Sequence, residues 1–217
     1  MTTRKMISAI GDTIAPLRCV FCGTRTRDDE QSVCEGCFAD LPWTGCPVLP
    51  AVVGLDTVLA PAAYAFPVDA AIRAFKFRRR LFYGPAFVQL LGTVRGRLPD
   101  DIDAVLPVPL HWRRKWWRGF NQALEIAGPM ARQLGLPLIH NATRHRATPP
   151  QSGLTAAQRA TNLRQAFRLR TSIDSRHVLI VDDVITTGET IKQLAKTLLD
   201  NGVEKVSAMA VARAGEG

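Results

Sequence analysis

Long apolar runs are missing from this chain of 217 residues. No stretch approaches the roughly 20 residues needed to cross a bilayer, so no membrane insertion is expected. Near the start, Arg4 and Lys5 precede an apolar run too short for a secretory signal and broken at Gly11 and Asp12. A short helix there, in a cytoplasmic protein, is the expectation. Cysteine is scarce and confined: four of the five fall before residue 38, and Cys46 is the last. Acidic residues are also short, 19 against 28 basic ones, for a net charge of +9 and a pI near 9.9. That excess points to anionic partners, either a polyphosphate substrate, nucleic acid, or both. No internal repeat or low-complexity tract is present. What remains is an ordinary globular composition, in a chain long enough for one good-sized core and a small appendage.

The cysteines come first in the chain. Cys19-Val-Phe-Cys22 and Cys34-Glu-Gly-Cys37 are separated by eleven residues, and each knuckle presents two thiolates to one tetrahedral ion. Disulfides, which a reducing compartment disfavours, and redox thiols are the alternatives. A structural zinc on Cys19, Cys22, Cys34 and Cys37 is the expectation, because four thiolates leave no open coordination position. Cys46 is left without a role. Prolines and glycines from Leu41 to Pro50 read as a linker, dividing the chain into an N-terminal segment, residues 1–50, and a main domain, residues 51–217.

Leu55 to Phe66 reads as one or two strands. Asp69 to Phe77 reads as a short helix, followed by Arg78-Arg79-Arg80, which with Lys76 suits a solvated face. Phe82 to Val94 reads as another helix, and Ala104 to Leu110 as a buried strand with Pro109 at its end. Between His111 and Gln122, three tryptophans interleave with four cations. They could stack the bases of single-stranded nucleic acid, or clamp a pyrophosphate with the tryptophans filling the core beneath. Asn121 caps a helix that stops at Gly135. Asn141 to Gln165 is polar and basic and reads as a mobile loop leading through a short helix to Phe167. Glu204 to Ala212 gives a closing strand of alternating character.

The most informative stretch is Val178-Leu-Ile-Val-Asp182-Asp183-Val-Ile-Thr186-Thr187-Gly188-Glu189-Thr190. Four apolar residues read as a buried strand with two carboxylates at its end. A short loop follows, then a helix whose buried face shows in Ile191, Leu194, Ala195, Leu198 and Leu199. Strand, loop and helix form the βα geometry that places ligands at the carboxyl edge of a parallel sheet. Backbone N–H groups of residues 186–190 would face an anion at the helix start. Thr186, Thr187 and Thr190 add hydroxyl donors, and Gly188 permits close approach. Asp182 and Asp183, as ionised acceptors, suit two neighbouring sugar hydroxyls or, through water, Mg²⁺. The implied ligand carries a phosphate near a diol.

This stretch resembles the phosphoribosyl pyrophosphate (PRPP) signature of type I phosphoribosyltransferases. The resemblance implies their α/β fold, a twisted parallel sheet flanked by helices. It also implies that Asp182 and Asp183 grip the ribose hydroxyls while Thr186, Thr187, Gly188, Glu189 and Thr190 cradle the 5′-phosphate of PRPP, bound with Mg²⁺. The family usually has Ala or Gly at Glu189, where a carboxylate weakens phosphate binding unless it points away. Further motifs are similar to the ComF family, competence-associated proteins linked to DNA uptake and use. These are the paired Cys-x-x-Cys knuckles, Leu41-Pro42-Trp43, Phe75-Lys76-Phe77, Pro-Val-Pro-Leu110 and Arg118-Gly-Phe-Asn-Gln122. Many relatives carry another Cys-x-x-Cys where this chain has Cys46-Pro-Val-Leu49.

By the resemblance, the backbone at Pro109 and Leu110 becomes the pyrophosphate loop. Lys115 and Arg118 are its helpers by charge, and Arg144 and Arg146 ride a flexible loop that closes over the site. The implied reaction is transfer of ribose 5-phosphate with release of pyrophosphate, with the zinc segment as an accessory hood. The rival is a non-catalytic adaptor that keeps a vestigial PRPP pocket and holds single-stranded DNA, or proteins of the DNA-uptake machinery, on its basic aromatic surface.

Overall fold

The structure is a computed structural model that describes residues 18–26, 32–45, 54–145 and 166–215. Its centre is a pair of long parallel strands, β6 (His177–Ile185) and β7 (Lys205–Arg213), in register from His177 opposite Lys205 to Ile185 opposite Arg213. Strand β3 (Ala104–Pro107) runs parallel along the free side of β6. On the far side of β7 lie two short strands, β1 (Val58–Leu59) and β2 (Ala62–Ala63), both parallel to it. Pro61, which has no N–H to give a ladder, stands between them. The order is therefore β1 and β2, β7, β6, β3, all parallel. Beyond β3 the chain adds an edge contact, Val105 N–H donating to Pro137 O and Ile139 N–H to Val105 O.

Strand alternation sorts the core into two faces. Leu179, Val181, Met209 and Val211 pack with Phe75, Phe87, Ile126 and Met130. These come from three helices, α2 (Val68–Arg78), α3 (Tyr83–Gly92) and α5 (Gln122–Leu134). On the opposite face Val178, Ile180, Ala208 and Ala210 meet Ile191, Leu194 and Leu198 of α6 (Glu189–Leu199). Sheets covered on both sides carry continuous apolar strands. For that reason β7 is buried from Val206 to Ala212 rather than alternating, which corrects the expectation of a half-exposed closing strand.

Several other local expectations change. The central strand does not end before the carboxylates; β6 continues through both of them to Ile185 because β7 pairs with it that far. Strand β3 stops at Pro107, earlier than Leu110. The Trp-rich stretch forms a short helix, α4 (Trp112–Arg118). Part of the expected mobile loop is a strand: β4 (Ala142–Arg144) pairs antiparallel with β5 (Phe167–Leu169). Arg144 thus belongs to a strand, fixed opposite Phe167. The remainder of that segment, with Arg146 and the expected short helix, lies outside the described residues, as do Cys46 and the helix expected at the start.

The cysteine segment, with helix α1 (Glu35–Ala39), rests on α3. Gln89 Oε1 accepts the N–H groups of Ser32 and Val33 at 3.1 and 3.2 Å, and Cys19, Val33 and Leu41 join the core of the first face. The described part of the expected linker is packed as well: Leu41 is buried, and the Trp43 ring lies 4.8 Å from Phe38. Among the described residues no helix is long and apolar enough to cross a membrane.

Candidate functional site

The two carboxylates lie where β6 reaches the carboxyl edge of the sheet, and consecutive strand residues point to opposite faces. Asp183 follows Val181 onto the face of α2 and is only 3% exposed. There Lys76 Nζ sits 2.8 Å from its Oδ1, while Oδ2 is buried with no hydrogen-bond partner among the described residues. Lys76 is therefore not part of a solvated face. It follows the fully buried Phe75 on α2, and its stem runs inward to a carboxylate that burial would otherwise leave without a counter-ion. Asp182 is half-buried, and its Oδ1 accepts the Asp183 N–H at 2.9 Å. Burial, reinforced by the charge of Asp183 and opposed by Lys76, pushes the Asp182 carboxyl up to about 8. Two carboxyl groups this close, with one cation beside them, titrate as a pair, and burial with the neighbouring charge moves Asp182 upward.

The turn after β6 presents Thr186 and Thr187 to solvent. Gly188 then adopts φ 73°, a left-handed conformation that costs glycine little, and starts α6. Its carbonyl accepts the Lys192 N–H at 2.9 Å, while the first-turn N–H groups of α6 have no acceptor within the helix. Glu189 is drawn along the helix, where Gln193 Nε2 donates to its Oε1 at 2.8 Å. That bond engages the carboxylate a full turn beyond Gly188.

Across the sheet edge, Val108 N–H donates to Val181 O at 2.9 Å and keeps the loop after β3 beside β6. Asn121 straps this loop from the other end. Its Oδ1 accepts the Ala123 N–H at 3.2 Å, capping α5, and its Nδ2 donates to Val108 O at 3.1 Å. Pro109 and Leu110 are half-buried in the loop. Arg118 lies 4.8 Å over the Phe77 ring. Lys115 belongs to α4, with its side chain outside what is described. Trp112, Trp116 and Trp117 are 62%, 87% and 67% exposed, so they fill no core beneath a pyrophosphate. Arg144 lines a cavity together with Pro109 and Leu110, its guanidinium 5.5 Å from the Phe167 ring. Sequence reasoning missed Lys76 as a partner of the acidic pair. Its signal was the lysine set between two phenylalanines, one of which is core.

The four sulfur atoms of Cys19, Cys22, Cys34 and Cys37 all lie within 4.8 Å of one another, with Cys22 and Cys34 at 3.6 Å. Sulfurs about 2.3 Å from a shared ion in tetrahedral array stand near these separations. The Thr24 hydroxyl and backbone hold the Cys22 thiol down to about 6, while burial and the neighbouring thiols push Cys37 up. The donor set is compatible with a metal.

Comparison with known proteins places these features together. The family model described as "Phosphoribosyl transferase domain" matches residues 121–217. The "DNA utilization protein YhgH" of Escherichia coli (strain K12) is 36% identical over 209 residues, covering 90% of this chain and 89% of that protein. "Competence protein F" of Haemophilus influenzae is 31% identical over 227 residues, covering 91% of this chain and 97% of its own. Among solved structures, the orotate phosphoribosyltransferase of Aeropyrum pernix aligns with a TM-score of 0.41 at 24% identity, over 65% of this chain and 67% of that one. With its parallel sheet, its cysteine knuckles and relatives that match it over nine-tenths of its length, the chain belongs to the ComF family of phosphoribosyltransferase-like proteins and carries the type I fold.

Proposed function

We propose that the carboxyl edge of β6 is a PRPP socket, with Thr186 to Thr190 holding the 5′-phosphate and Asp182 and Asp183 holding the ribose diol. The observation that carries this reading is the left-handed Gly188 at the mouth of α6, directly after the acidic pair. It opens the first-turn N–H groups to an anion at a fixed distance from two carboxyl groups. Mg²⁺ bound with PRPP would neutralise the pyrophosphate. The chain's own parts are the backbone at Pro109 and Leu110, strapped by Asn121, with Arg118 and Lys115 nearby. Transfer breaks the C1–oxygen bond to pyrophosphate and joins C1 to a nucleophile that loses a proton, so rigid placement of the sugar is the main requirement. Zinc on the four cysteines would serve structure, since no coordination position stays open. The N-terminal segment then acts as a fixed hood over residues 51–217. Calorimetric titration with PRPP–Mg²⁺ tests the socket, and a wild-type protein giving no heat would sink it.

A second reading is favoured by α4. Its three exposed tryptophans and its arginines suit stacked bases and phosphates of single-stranded DNA, in keeping with relatives named for DNA utilization and competence. Affinity for a single strand should fall steeply with salt, and Trp116→Ala should weaken it by about 1–3 kcal/mol. A flat salt response would remove this reading.

A further inference from the structure

A groove of about 540 Å³ runs between α3 and α5, well apart from the socket: none of Pro109, Leu110, Asn121 or the residues from Asp182 to Thr190 lines it. No residue of the Trp-bearing helix α4 lines it either. Leu81, Pro85, Val88 and Pro129 give the groove an apolar lining. Leu81 is 46% exposed and its neighbour Phe82 is 51% exposed. Apolar side chains clustered in this way and left to water mark a surface that meets another.

Charge decides what that other surface is. The chain as a whole carries a net charge of +9, yet the groove is balanced. Its charged lining is one acid, Glu125, and one base, Arg132, both exposed on α5. Among the described residues neither forms an ion pair or a side-chain hydrogen bond. A nucleic acid or an acidic peptide would be repelled by Glu125, and a basic peptide by Arg132.

The spacing of the two charges supplies the rest. Glu125 and Arg132 stand seven residues apart on one side of α5, about two turns or 10.5 Å. The midpoint between them falls between Gly128 and Pro129, neither of which carries a long side chain. Two α5 helices laid antiparallel across a two-fold axis at that midpoint set each Glu125 opposite the partner's Arg132. Gly128 and Pro129 then lie at the crossing, where compact side chains let the backbones approach. Reciprocity of this kind, residue i on j and j on i, is what a two-fold interface requires.

We propose that the α3–α5 face is a two-fold self-association surface whose partner is a second copy of this chain, held in register by two reciprocal Glu125–Arg132 ion pairs. Leu81, Phe82 and Pro85 lose their exposure to water in the dimer. No residue of the socket takes part, so the proposal does not rest on PRPP binding.

Sedimentation velocity of the full chain over a range of concentrations tests it, and the wild type should pass from monomer to dimer by about 100 µM. Glu125→Arg and Arg132→Glu each place like charges face to face twice in the dimer, so each alone should weaken dimerisation about tenfold or more. Mixed in equal amounts, the two variants should form a heterodimer, because every facing pair is again of opposite sign. The double variant Glu125→Arg/Arg132→Glu should dimerise by itself for the same reason. Both positions are exposed, and thermal melting establishes that each variant is folded. A wild type that stays monomeric up to about 100 µM overturns the proposal and leaves the groove to another protein. Single variants that dimerise like the wild type overturn it too, as does an equal mixture or a double variant that remains monomeric.

Discussion

Lys76→Met should unfold this protein more readily than any single change on the exposed side of α2. The Lys76 and Asp183 side chains are 19% and 4% exposed, their charged atoms are 2.8 Å apart, and the second Asp183 oxygen has no partner among the described residues. Removing the lysine leaves a buried carboxylate without a counter-ion, a loss of about 3–5 kcal/mol when a buried pair is broken from one side. In a chain of this size the melting temperature should fall by about 6–20 °C at pH 7.5. Lys76→Met/Asp183→Asn, which removes both charges, should recover most of the loss. Scanning calorimetry of the wild type, Lys76→Met, Asp183→Asn and the double variant at pH 7.5 is the assay. A single variant melting within a degree of wild type at pH 7.5, or a double variant worse than both singles, would refute the buried-pair argument.

Two other perturbations follow from the same physics. At the opposite edge of the sheet, Lys205 foremost and then His177 hold the Asp101 carboxyl down to about 2. A folded value below the unfolded one adds stability above about pH 4 that is lost as the pH falls toward 2. Asp101→Asn should therefore melt below wild type at pH 7 and together with it at pH 2, and a constant gap at all pH values would exclude the charge. For the cysteine cluster, purified protein should carry about one equivalent of zinc, and a chelator or Cys34→Ser should lower the melting temperature. Metal content well under one equivalent with oxidised thiols would refute the zinc site.

Much of this fold could be read from local pattern. The run Val178 to Val181 is apolar because both sheet faces are covered, and Asn121 with Gly135 mark the ends of α5 by their backbone chemistry. The cysteine spacing predicts a cluster because thiolates two residues apart converge on one point. What failed was long-range. Nothing near Lys76 in the chain says that an aspartate 107 positions later will neutralise it. The β4–β5 pairing joins segments separated by more than twenty residues, so its polar, basic strands look like loop until their partners are known. The length of β6 past its apolar run is likewise set by β7 rather than by its own composition.

The claim on which the functional reading stands is that Asp182 and Asp183 hold the sugar whose phosphate sits at Gly188. Titrating PRPP–Mg²⁺ into folded Asp182→Asn/Asp183→Asn beside the wild type addresses it most directly. The account predicts saturable heat for the wild type and at least a tenfold weaker isotherm for the double variant, a difference of about 1.4 kcal/mol or more. Equal affinities in the two proteins would contradict it.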